Sequence, residues 1–274
     1  MNLINLKTFI AVAETGSFLG AADRIFVTQS TVSVRIRSLE DNLGVYLFDR
    51  SKHGASLTPD GEKLLQTAIA MINLWEQSRL EVGLANSQKY ILRIGAQVSL
   101  WDGYLNGWLS SFRNANGNIA VRAEMASSDQ LISRLVNSEL DVIILYRPQY
   151  RPGYQAHIIF DEELILVSTT KNDPDPFGAS YIFIYWGPDF QADHSLHYPG
   201  IDIPQVSMDI GTLALEYLLK NGGSAYVPGR VVNSHISNKQ LYELKDYQTF
   251  RYPVYFMYAN SLDNQIKKIL NDTL

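Results

Sequence analysis

Apolar residues recur at helical spacing between residues 19 and 43, and the rest of the chain is organised around this stretch. Four of them, at intervals of four, three and four residues, fall on one face of a helix: Val32, Ile36, Leu39 and Leu43. Thr28 is a suitable N-cap for this helix, because its hydroxyl can accept a hydrogen bond from a free N–H group of the first turn. A shorter helix over 18–25, capped by Ser17, precedes it. The pattern therefore predicts two helices joined by a tight turn.

The face opposite the apolar stripe carries residues able to hydrogen-bond or to make small apolar contacts. These are Ser30, Ser33, Val34 and Arg37, with Gln29 at the exposed N-terminal end of the helix. A short helix, a tight turn and a second helix with such an outer face form the helix-turn-helix arrangement, whose second helix enters a DNA major groove. Many globular proteins also contain two short helices with polar outer faces, so the flanking sequence has to decide between these interpretations.

Both flanks favour DNA binding. A first helix is predicted over 3–15, with Asn2 as its cap and Gly16 as a left-handed terminator. After Gly44, a strand-like run over 45–48, a polar turn over 49–55 and a return at 56–57 predict a β-hairpin. Its tip carries two cations: Arg50 and Lys52. A solvated surface hairpin has the same pattern, but the position directly after the recognition helix favours the wing of a winged helix-turn-helix.

A long helix follows the hairpin. Thr58 and Pro59 mark its start, and acidic residues occupy its first turn. The helix is predicted to continue to about Asn86, with 86–88 as a hinge. Apolar residues at alternating steps of three and four resemble a coiled-coil seam: Leu65, Ala68, Ile72, Trp75 and Val82. We expect the first four of these to pair with a second chain as a dimerisation element.

From Ile91 onward, strands and helices alternate. Strands are predicted over 91–95, 119–124, 141–145, 164–168, 182–185, 206–208, 225–227 and 254–258. Helices are predicted over 99–112, 128–139, 211–220 and 262–270. This order implies a mostly parallel, doubly wound α/β sheet. The proline- and histidine-rich stretch over 193–204 is predicted to be loop.

Such a sheet predicts a ligand cleft at the carboxyl ends of its strands, where the strand order changes. The turn after the first strand leads into a helix whose N-terminal N–H groups favour an anion or a carbonyl. The chain is expected to cross between two lobes near 161–163 and 253–255. We expect a small, partly aromatic or polar metabolite to contact Gln97, Ser99, Leu100, Trp101, Ser127, Ser128, Tyr146, Trp186 and Gly211. For Trp101 and Trp186 the alternative of a core position stays open, because tryptophans are usually well buried.

Composition limits the classes of function. The chain has 274 residues, a net charge of −5, no cysteine and no apolar run long enough to span a bilayer. No N-terminal signal peptide is evident, so a reducing cytoplasm is the expected compartment. Acids and bases balance over residues 1–60, with cations clustered on the second helix of the pair and just after Phe48. A DNA reader can be neutral overall if its docking face is positive.

An enzyme and a solute-binding protein are the alternatives from other classes. The chain contains no Gly-x-Ser-x-Gly elbow, P-loop or Gly-x-Gly-x-x-Gly fingerprint, and Ser99 has no evident histidine base. His194 and His197 have a spacing that suits a metal, but they fall in the predicted loop without a third ligand, so no metal and no cofactor is expected. A transport-type solute-binding protein would share the architecture of the C-terminal two-thirds. The missing signal peptide and the attached DNA-reading segment argue against it.

The N-terminal sixty residues resemble the signature of LysR-type transcriptional regulators. The resemblance rests on residues in matching order: Phe9, Gly16-Ser17-Phe18, Ala21-Ala22, Thr28-Gln29-Ser30, Val32-Ser33, Ile36-Arg37, Leu39-Glu40, Leu43-Gly44, Leu47-Phe48, Arg50, Leu57-Thr58 and Gly61. The remainder resembles the family at 92–95, 139–141 and 221–223, and at Pro228. Ser99-Leu100-Trp101 and Trp186-Gly187-Pro188-Asp189-Phe190 resemble an HdfR-like subgroup.

This resemblance implies an α/β chain with a winged helix-turn-helix over 1–58, a linker helix over 59–88 and a periplasmic-binding-protein-like effector domain over 89–274. The two lobes of that domain would comprise about 89–162 plus 254–274, and 163–253. The family also implies a homodimer or homotetramer that binds interrupted palindromes near promoters and responds to a small-molecule effector, with RNA polymerase as a further candidate partner. Val34 departs from the family, in which many members carry a polar or basic residue there.

Each candidate DNA-binding residue has an expected partner. Gln29 can pair bidentately with adenine, and Arg37 can reach guanine or a phosphate. The other expected phosphate contacts are Thr28, Ser30, Ser33, Arg35, Arg50 and Lys52. An ion pair is the alternative for Arg35. Val34 suits a thymine methyl group, although a single exposed valine without any function is equally common.

Overall fold

The computed structural model describes residues 2–51, 54–82, 90–201 and 203–274. The chain divides into two compact units: residues 1–91 together with 133–140, and residues 92–132 together with 141–274. Within the described ranges, no helix is long and apolar enough to cross a membrane.

The first unit is a helical bundle with a hairpin. Its elements are α1 Leu3–Thr15, α2 Phe18–Arg24, α3 Gln29–Leu43, β1 Phe48–Ser51, β2 Gly54–Leu57 and α4 Pro59–Val82. Asn2, Ser17 and Thr28 each accept a hydrogen bond from a backbone N–H in the first turn of the helix that follows. Gly16 and Gly44 end α1 and α3 in the left-handed conformation, at φ values of 62° and 72°. The predicted caps of α1, α2 and α3 and the bounds of α1 and α3 are confirmed, whereas α2 ends at Arg24, one residue before the predicted end. The predicted end of α4 near Asn86 lies outside the described residues.

The core of the first unit contains the predicted face of α3 with one exception. Val32, Ile36 and Leu39 are buried, whereas Leu43, the last residue of α3, is 44% exposed. Glu40 is buried in its place, and its Oε1 accepts a hydrogen bond from Leu47 N at 2.9 Å. A carboxylate that binds the backbone beyond the helix end thus directs the chain from α3 into the hairpin.

The hairpin begins at Phe48, not at Val45 as predicted. Its register pairs Phe48 with Leu57. The residues before it bond elsewhere, since Leu47 O accepts from Thr58 N at 3.0 Å and Tyr46 O accepts from Thr58 Oγ1 at 2.8 Å. These hydrogen bonds connect the run over 45–47 to the start of α4, so this run does not pair with β2.

Helix α4 packs its predicted seam against its own chain. Ala68 is fully buried, and Leu65 and Ile72 pack on the same core. These three residues therefore have partners within their own chain, and their pairing with a second chain stays a prediction. Trp75 differs from them, because half of its surface is exposed. The predicted hinge at 86–88 lies outside the described residues.

From β3 onward the chain forms an α/β structure. Its strands are β3 Tyr90–Ala96, β4 Ile119–Met125, β5 Val142–Leu145, β6 Tyr154–Ser168, β7 Ile182–Ile184, β8 Val206–Met208, β9 Ser224–Pro228, β10 Tyr242–Glu243 and β11 Phe250–Ala259. Its helices are α5 Val98–Leu100, α6 Asn106–Ala115, α7 Ser128–Val136, α8 Pro188–His197, α9 Gly211–Asn221, α10 Gly229–Ser237 and α11 Asn264–Thr273.

The main sheet is mixed. In the described chain its strand order is β10-β6-β11-β5-β3-β4, with β9 also paired to β6, while β7 and β8 pair separately. Strands β3 and β5 are parallel, but β6 and β11 are antiparallel to their partners. The prediction of a mostly parallel sheet was wrong, because these two long strands were each only half recognised.

Strands β6 and β11 connect two lobes. Residues 255–258 of β11 pair with β5 in the first lobe, while 164–168 of β6 pair with β9 in the second. Between these regions Pro253 lies opposite Asp161, and the register shifts between Val254 and Tyr255. The change of partner therefore falls in the two segments where the sequence predicts a crossing.

Two further predictions need correction. The helix predicted over 99–112 is broken, because Asp102 (ψ 129°) and Gly103 (φ 70°) lie between α5 and α6. Arg230 binds the carbonyls of Ser99 and Asp102, which removes the need for helical partners there. The stretch predicted as loop over 193–204 begins inside α8, which starts with a proline and buries Phe190 and His194 on one face.

Candidate functional site

One face of α3 is open to solvent and carries predicted DNA-contacting residues. Gln29, Ser30, Val34 and Arg37 are exposed, and Ser33 is half-buried. Val34 is 67% exposed, which is high for a valine beside a packed core. Since the opposite face of α3 is buried, this surface faces away from the core, as the helical pattern predicts.

The start of this helix is held by its own hydroxyls. Thr28 Oγ1 accepts from Thr31 N at 3.2 Å and lies 2.9 Å from Ser30 Oγ and 2.8 Å from Thr31 Oγ1. This hydrogen-bonded turn fixes the N-terminus of α3 before any ligand is present. Gln29 projects from a backbone that is already ordered.

Arg35 lies at the edge of the core, away from the exposed face of α3. It is half-buried, and its guanidinium donates a hydrogen bond to Thr8 Oγ1 of α1 at 3.3 Å. Thr8 in turn donates to the carbonyl of Ile4 at 2.8 Å. Arg35 thus links α3 to α1, and its contact with a phosphate stays a prediction.

The hairpin β1–β2 is attached to the turn before α2. Ala55 N donates to Gly16 O at 2.8 Å, and Arg50 lies opposite Ala55 in the ladder. Gly54 has a φ of 133°, and a Cβ there would lie only 2.6 Å from Gly16 O, so a side chain is excluded. Lys52, predicted in the wing, lies outside the described residues.

A cleft opens at the carboxyl ends of β3 and β5. It has an inner cavity of about 80 Å³ and an outer cavity of about 410 Å³. Seven of the nine residues predicted from the sequence line the cleft or its immediate extension: Gln97, Ser99, Ser127, Ser128, Tyr146, Trp186 and Gly211. The ends of the strands thus bring together residues that are far apart in the chain.

The other two predicted residues point into the core. Leu100 is fully buried, and Trp101 is 8% exposed, with its Nε1 donating to Glu124 O at 3.2 Å. The core alternative is therefore the correct one for Trp101. Trp186 lines the cleft but also donates from Nε1 to Tyr226 O at 2.8 Å, so its ring is held in place.

Hydrogen bonds order the floor of the cleft. Gln97 Oε1 accepts from Tyr146 N at 3.0 Å, which fixes the chain as it leaves β5. The Tyr146 hydroxyl donates to Glu162 Oε2 at 3.2 Å and lies 3.3 Å from Ser99 Oγ. Burial raises the pKa of the Tyr146 phenol, so Tyr146 is a neutral donor in this network.

Sequence reasoning missed the ion pair at the centre of this network. Arg230 Nε and Nη2 lie 2.8 Å and 2.7 Å from Glu162 Oε2, and Nη2 also donates to Ser99 O at 2.7 Å. Burial raises the pKa of the Glu162 carboxyl, and the charge of Arg230 opposes that shift. The available signal was a run of three acidic residues, Asp161-Glu162-Glu163, that interrupts an otherwise apolar strand pattern.

A second ion pair lines the inner cavity. Arg147, which follows β5, lies 3.0 Å from Asp189 in the first turn of α8. Both side chains are substantially exposed, so the attraction is screened by solvent. This pair therefore contributes little to the stability of the domain.

The two histidines considered as metal ligands both lie on α8, so the prediction of a loop was wrong for them. His194 is buried among aromatic rings, with its Nε2 2.8 Å from the hydroxyl of Tyr181. His197 is exposed, and its Nδ1 lies 2.9 Å from the carbonyl of Asp193. Both rings already have protein partners.

Comparison with known proteins places both parts of the chain in one family. A family model described as bacterial regulatory helix-turn-helix protein, lysR family, matches residues 3–62, and one described as LysR substrate binding domain matches residues 85–265. The HTH-type transcriptional regulator HdfR of Salmonella schwarzengrund is 30% identical over 263 residues, which cover 94% of this chain and 92% of the relative. The resemblance to an HdfR-like subgroup is thereby confirmed.

Solved structures share the fold over the full length. Full-length CbnR complexed with its target DNA matches with a TM-score of 0.65 at 22% identity, covering 100% of this chain and 98% of that one. Full-length LysG from Corynebacterium glutamicum with bound effector Arg matches with a TM-score of 0.65 at 18% identity, covering 100% and 96%. The two family models and the HdfR relative, together with the polar face of α3 and the cleft, show that the chain belongs to the LysR family and is a LysR-type transcriptional regulator, with an N-terminal helix-turn-helix DNA-binding domain and a C-terminal effector-binding domain.

Proposed function

We propose that this regulator binds interrupted palindromes near promoters by placing α3 in the major groove of double-stranded DNA. Gln29 reads adenine, Arg37 contacts guanine or a phosphate, and Val34 packs on a thymine methyl group. The exposure of these three side chains on one ordered helix supports the proposal. CbnR and Vibrio fischeri DarR have both been solved in complex with DNA.

The remaining candidate residues position the helix without reading sequence. They are Thr28, Ser30, Ser33, Arg35, Arg50 and Lys52. Arg35 acts mainly through its hydrogen bond to Thr8, which fixes the angle between α3 and α1. Arg50 and Lys52 extend the phosphate contacts to the edge of the minor groove from the hairpin.

Self-association is the second part of the proposal. Ile4, Leu74 and Trp75 are each about half exposed, and a groove lined by Ile4, Lys7 and Trp75 lies at this surface. We assign the dimer contact to this exposed group, with Trp75 kept from the original seam. A homodimer built here, paired again into a homotetramer, would present two recognition helices to one palindrome. RNA polymerase is a further partner in this scheme.

The third part is control by a small molecule bound in the cleft between the lobes. The candidate contacts that line it are Gln97, Ser99, Ser127, Ser128, Tyr146, Trp186 and Gly211. LysG has been solved with bound effector Arg. A ligand shifts the balance between lobe arrangements only by its differential affinity for them. On this account the protein acts in the cytoplasm, is not an enzyme and needs no resident cofactor.

The single observation that carries the proposal is the exposed, hydrogen-bonding face of α3 in a winged helix-turn-helix. Genome-wide crosslinking of the protein to DNA tests it directly. We expect discrete peaks near promoters that share an interrupted palindrome, and loss of these peaks for Gln29→Ala combined with Arg37→Ala. Peaks without a shared motif, or peaks unchanged in the double variant, would refute it.

A further inference from the structure

The inner cavity has a buried carboxylate with one unused oxygen. Glu162 is only 2% exposed, and it forms part of the cavity wall. Its Oε2 accepts hydrogen bonds from Tyr146 and Arg230. In the described chain no residue donates to its Oε1. Among the described residues the sealed side-chain atom without a partner is Asn137 Oδ1, so Glu162 Oε1 is open to the cavity and can accept a hydrogen bond from a molecule bound there.

The walls around this carboxylate are aromatic. Trp186, Phe190 and Tyr252 line the same cavity, together with the apolar side chain of Leu164. The faces of aromatic rings carry negative charge and attract cations, most strongly where water is excluded. An aromatic wall beside a carboxylate therefore favours a cationic group over a neutral or anionic one.

The neighbouring cations are already engaged. Arg230 is bound to Glu162 and to backbone carbonyls of the first lobe, and Arg147 is paired with Asp189. A further carboxylate, Asp193, accepts from the Tyr252 hydroxyl at 2.9 Å behind the aromatic wall. The cavity is lined by one cation, Arg147, and two anions, Glu162 and Asp189. With Arg230 and Asp193 behind the wall, the net charge around the cavity is −1. An anion placed here would have no free cation to pair with.

We propose that the inner cavity is a subsite for a small organic cation, an ammonium or amidinium group on a short apolar frame. Glu162 Oε1 accepts its hydrogen bond, and the rings of Trp186 and Tyr252 face its charge. The rest of the molecule extends into the outer cavity, past Ser128 and Gly211. This proposal rests on the cleft being the effector site and specifies the chemical class of the effector.

Matched probes test the charge preference of the full-length protein. Phenethylamine, 2-phenylethanol and 3-phenylpropionate share a ring and similar chains but are cationic, neutral and anionic. Titration calorimetry should show the amine binding at least about tenfold more tightly than the alcohol, as expected of a desolvated cation–π contact joined to an ion pair. Propylamine, 1-propanol and propanoate should give the same order if the head group decides.

Variants locate the binding in the cavity. Glu162→Gln should remove the preference for the amine, and Glu163→Gln is the matched control, because Glu163 is exposed and paired with Arg251. Since Glu162→Gln leaves Arg230 without its anion, a second pair avoids that problem. Tyr252→Leu should weaken the amine several-fold, while Tyr252→Phe, which keeps the ring, should retain its affinity.

Equal or tighter binding of the alcohol or the carboxylate would overturn the proposal, as would failure of both amines to bind at their solubility limit. Amine binding that Glu162→Gln and Tyr252→Leu leave unchanged would also overturn it. Carboxylate binding that Ser128→Ala weakens would preserve the cleft as the effector site while rejecting the cation. Operator binding by the same protein preparation, measured without any probe, separates this result from a failure of DNA recognition.

Discussion

Arg230 and Glu162 form a buried ion pair that connects the two lobes, with Nε of the arginine 2.8 Å from Oε2 of the glutamate. Arg230 lies in the first turn of α10, and Glu162 lies in β6 where that strand passes between lobes. The same guanidinium binds Ser99 O at the break between α5 and α6. One side chain therefore holds a helix start, a crossing strand and a broken helix together.

Loss of this arginine should destabilise the effector-binding domain. Arg230→Met leaves the Glu162 charge buried and unpaired, which costs about 3–5 kcal/mol in comparable cases. Arg251→Met is the matched control, because the Arg251–Glu163 pair is exposed and worth about 0–1 kcal/mol. Urea unfolding followed by circular dichroism measures both. Equal, small effects of the two variants would mean that the lobes do not depend on the buried pair.

Stability should also depend on pH through His194. Burial lowers its pKa from 6.5 to about 4 in the folded protein. Between these values the unfolded chain binds the proton and the folded one does not. The contribution of the neutral His194 to the free energy of unfolding is therefore complete above pH 6.5. It is lost as the pH falls towards 4, by about 1.4 kcal/mol per pH unit at most.

His197 supplies the control for this pH dependence, since it lies on the same helix but is exposed. Thermal unfolding between pH 7 and pH 4.5 should show a shallower loss of stability for His194→Gln than for wild type. His197→Gln should follow wild type. Identical profiles for all three proteins would rule out a buried, neutral His194.

Association should respond to Trp75 and not to the buried part of α4. Trp75→Glu places a charge in the proposed dimer contact and should dissociate the oligomer while the monomer stays folded. Ile72→Asp acts differently, because Ile72 packs on the core of its own chain, and a charge there should unfold the N-terminal unit. Light scattering and circular dichroism distinguish the two effects. An unchanged oligomer for folded Trp75→Glu would remove the dimer contact from this surface.

Local signals in the sequence were sufficient to predict the helices of the DNA-binding unit. Helix spacing, the cap at Thr28 and the terminators at Gly16 and Gly44 each act over a few residues, so they can be read without knowing the fold. The start of the hairpin could not be read in this way. It depends on Glu40 and Thr58, which withdraw the preceding residues from the ladder through contacts that only the folded chain makes.

The effector-binding domain was less predictable because its special features come from distant partners. The break after Trp101 is stabilised by Arg230, which is more than a hundred residues away. The first half of β6 carries exposed and charged residues, so its sequence lacks the apolar pattern of a strand. The neighbouring strand β11 pairs along its edge and leaves its side chains exposed. The position of the cleft was predicted correctly because it depends on where the first strands end, and the order of strands and helices along the chain indicates those ends. The ion pair within it was missed, because the acidic run over 161–163 does not by itself indicate its distant partner Arg230.

Removing a wing cation should weaken DNA binding without changing sequence preference. Arg50→Ala should lower affinity for specific and unrelated DNA alike and reduce the salt slope by about 1. Fluorescence anisotropy at several salt concentrations measures that slope. An unchanged slope, or a loss confined to the cognate operator, would contradict a phosphate contact by Arg50.

The affinity of Gln29→Ala for a cognate operator, compared with unrelated DNA of the same length, tests the central claim most directly. The account predicts a loss of about 1–3 kcal/mol on the operator, relaxed preference at one position of each half-site, and no change on unrelated DNA. Gln66→Ala, at an exposed glutamine of α4, should behave as wild type. If Gln29→Ala binds the operator as tightly and as selectively as wild type, α3 does not read the bases through this residue.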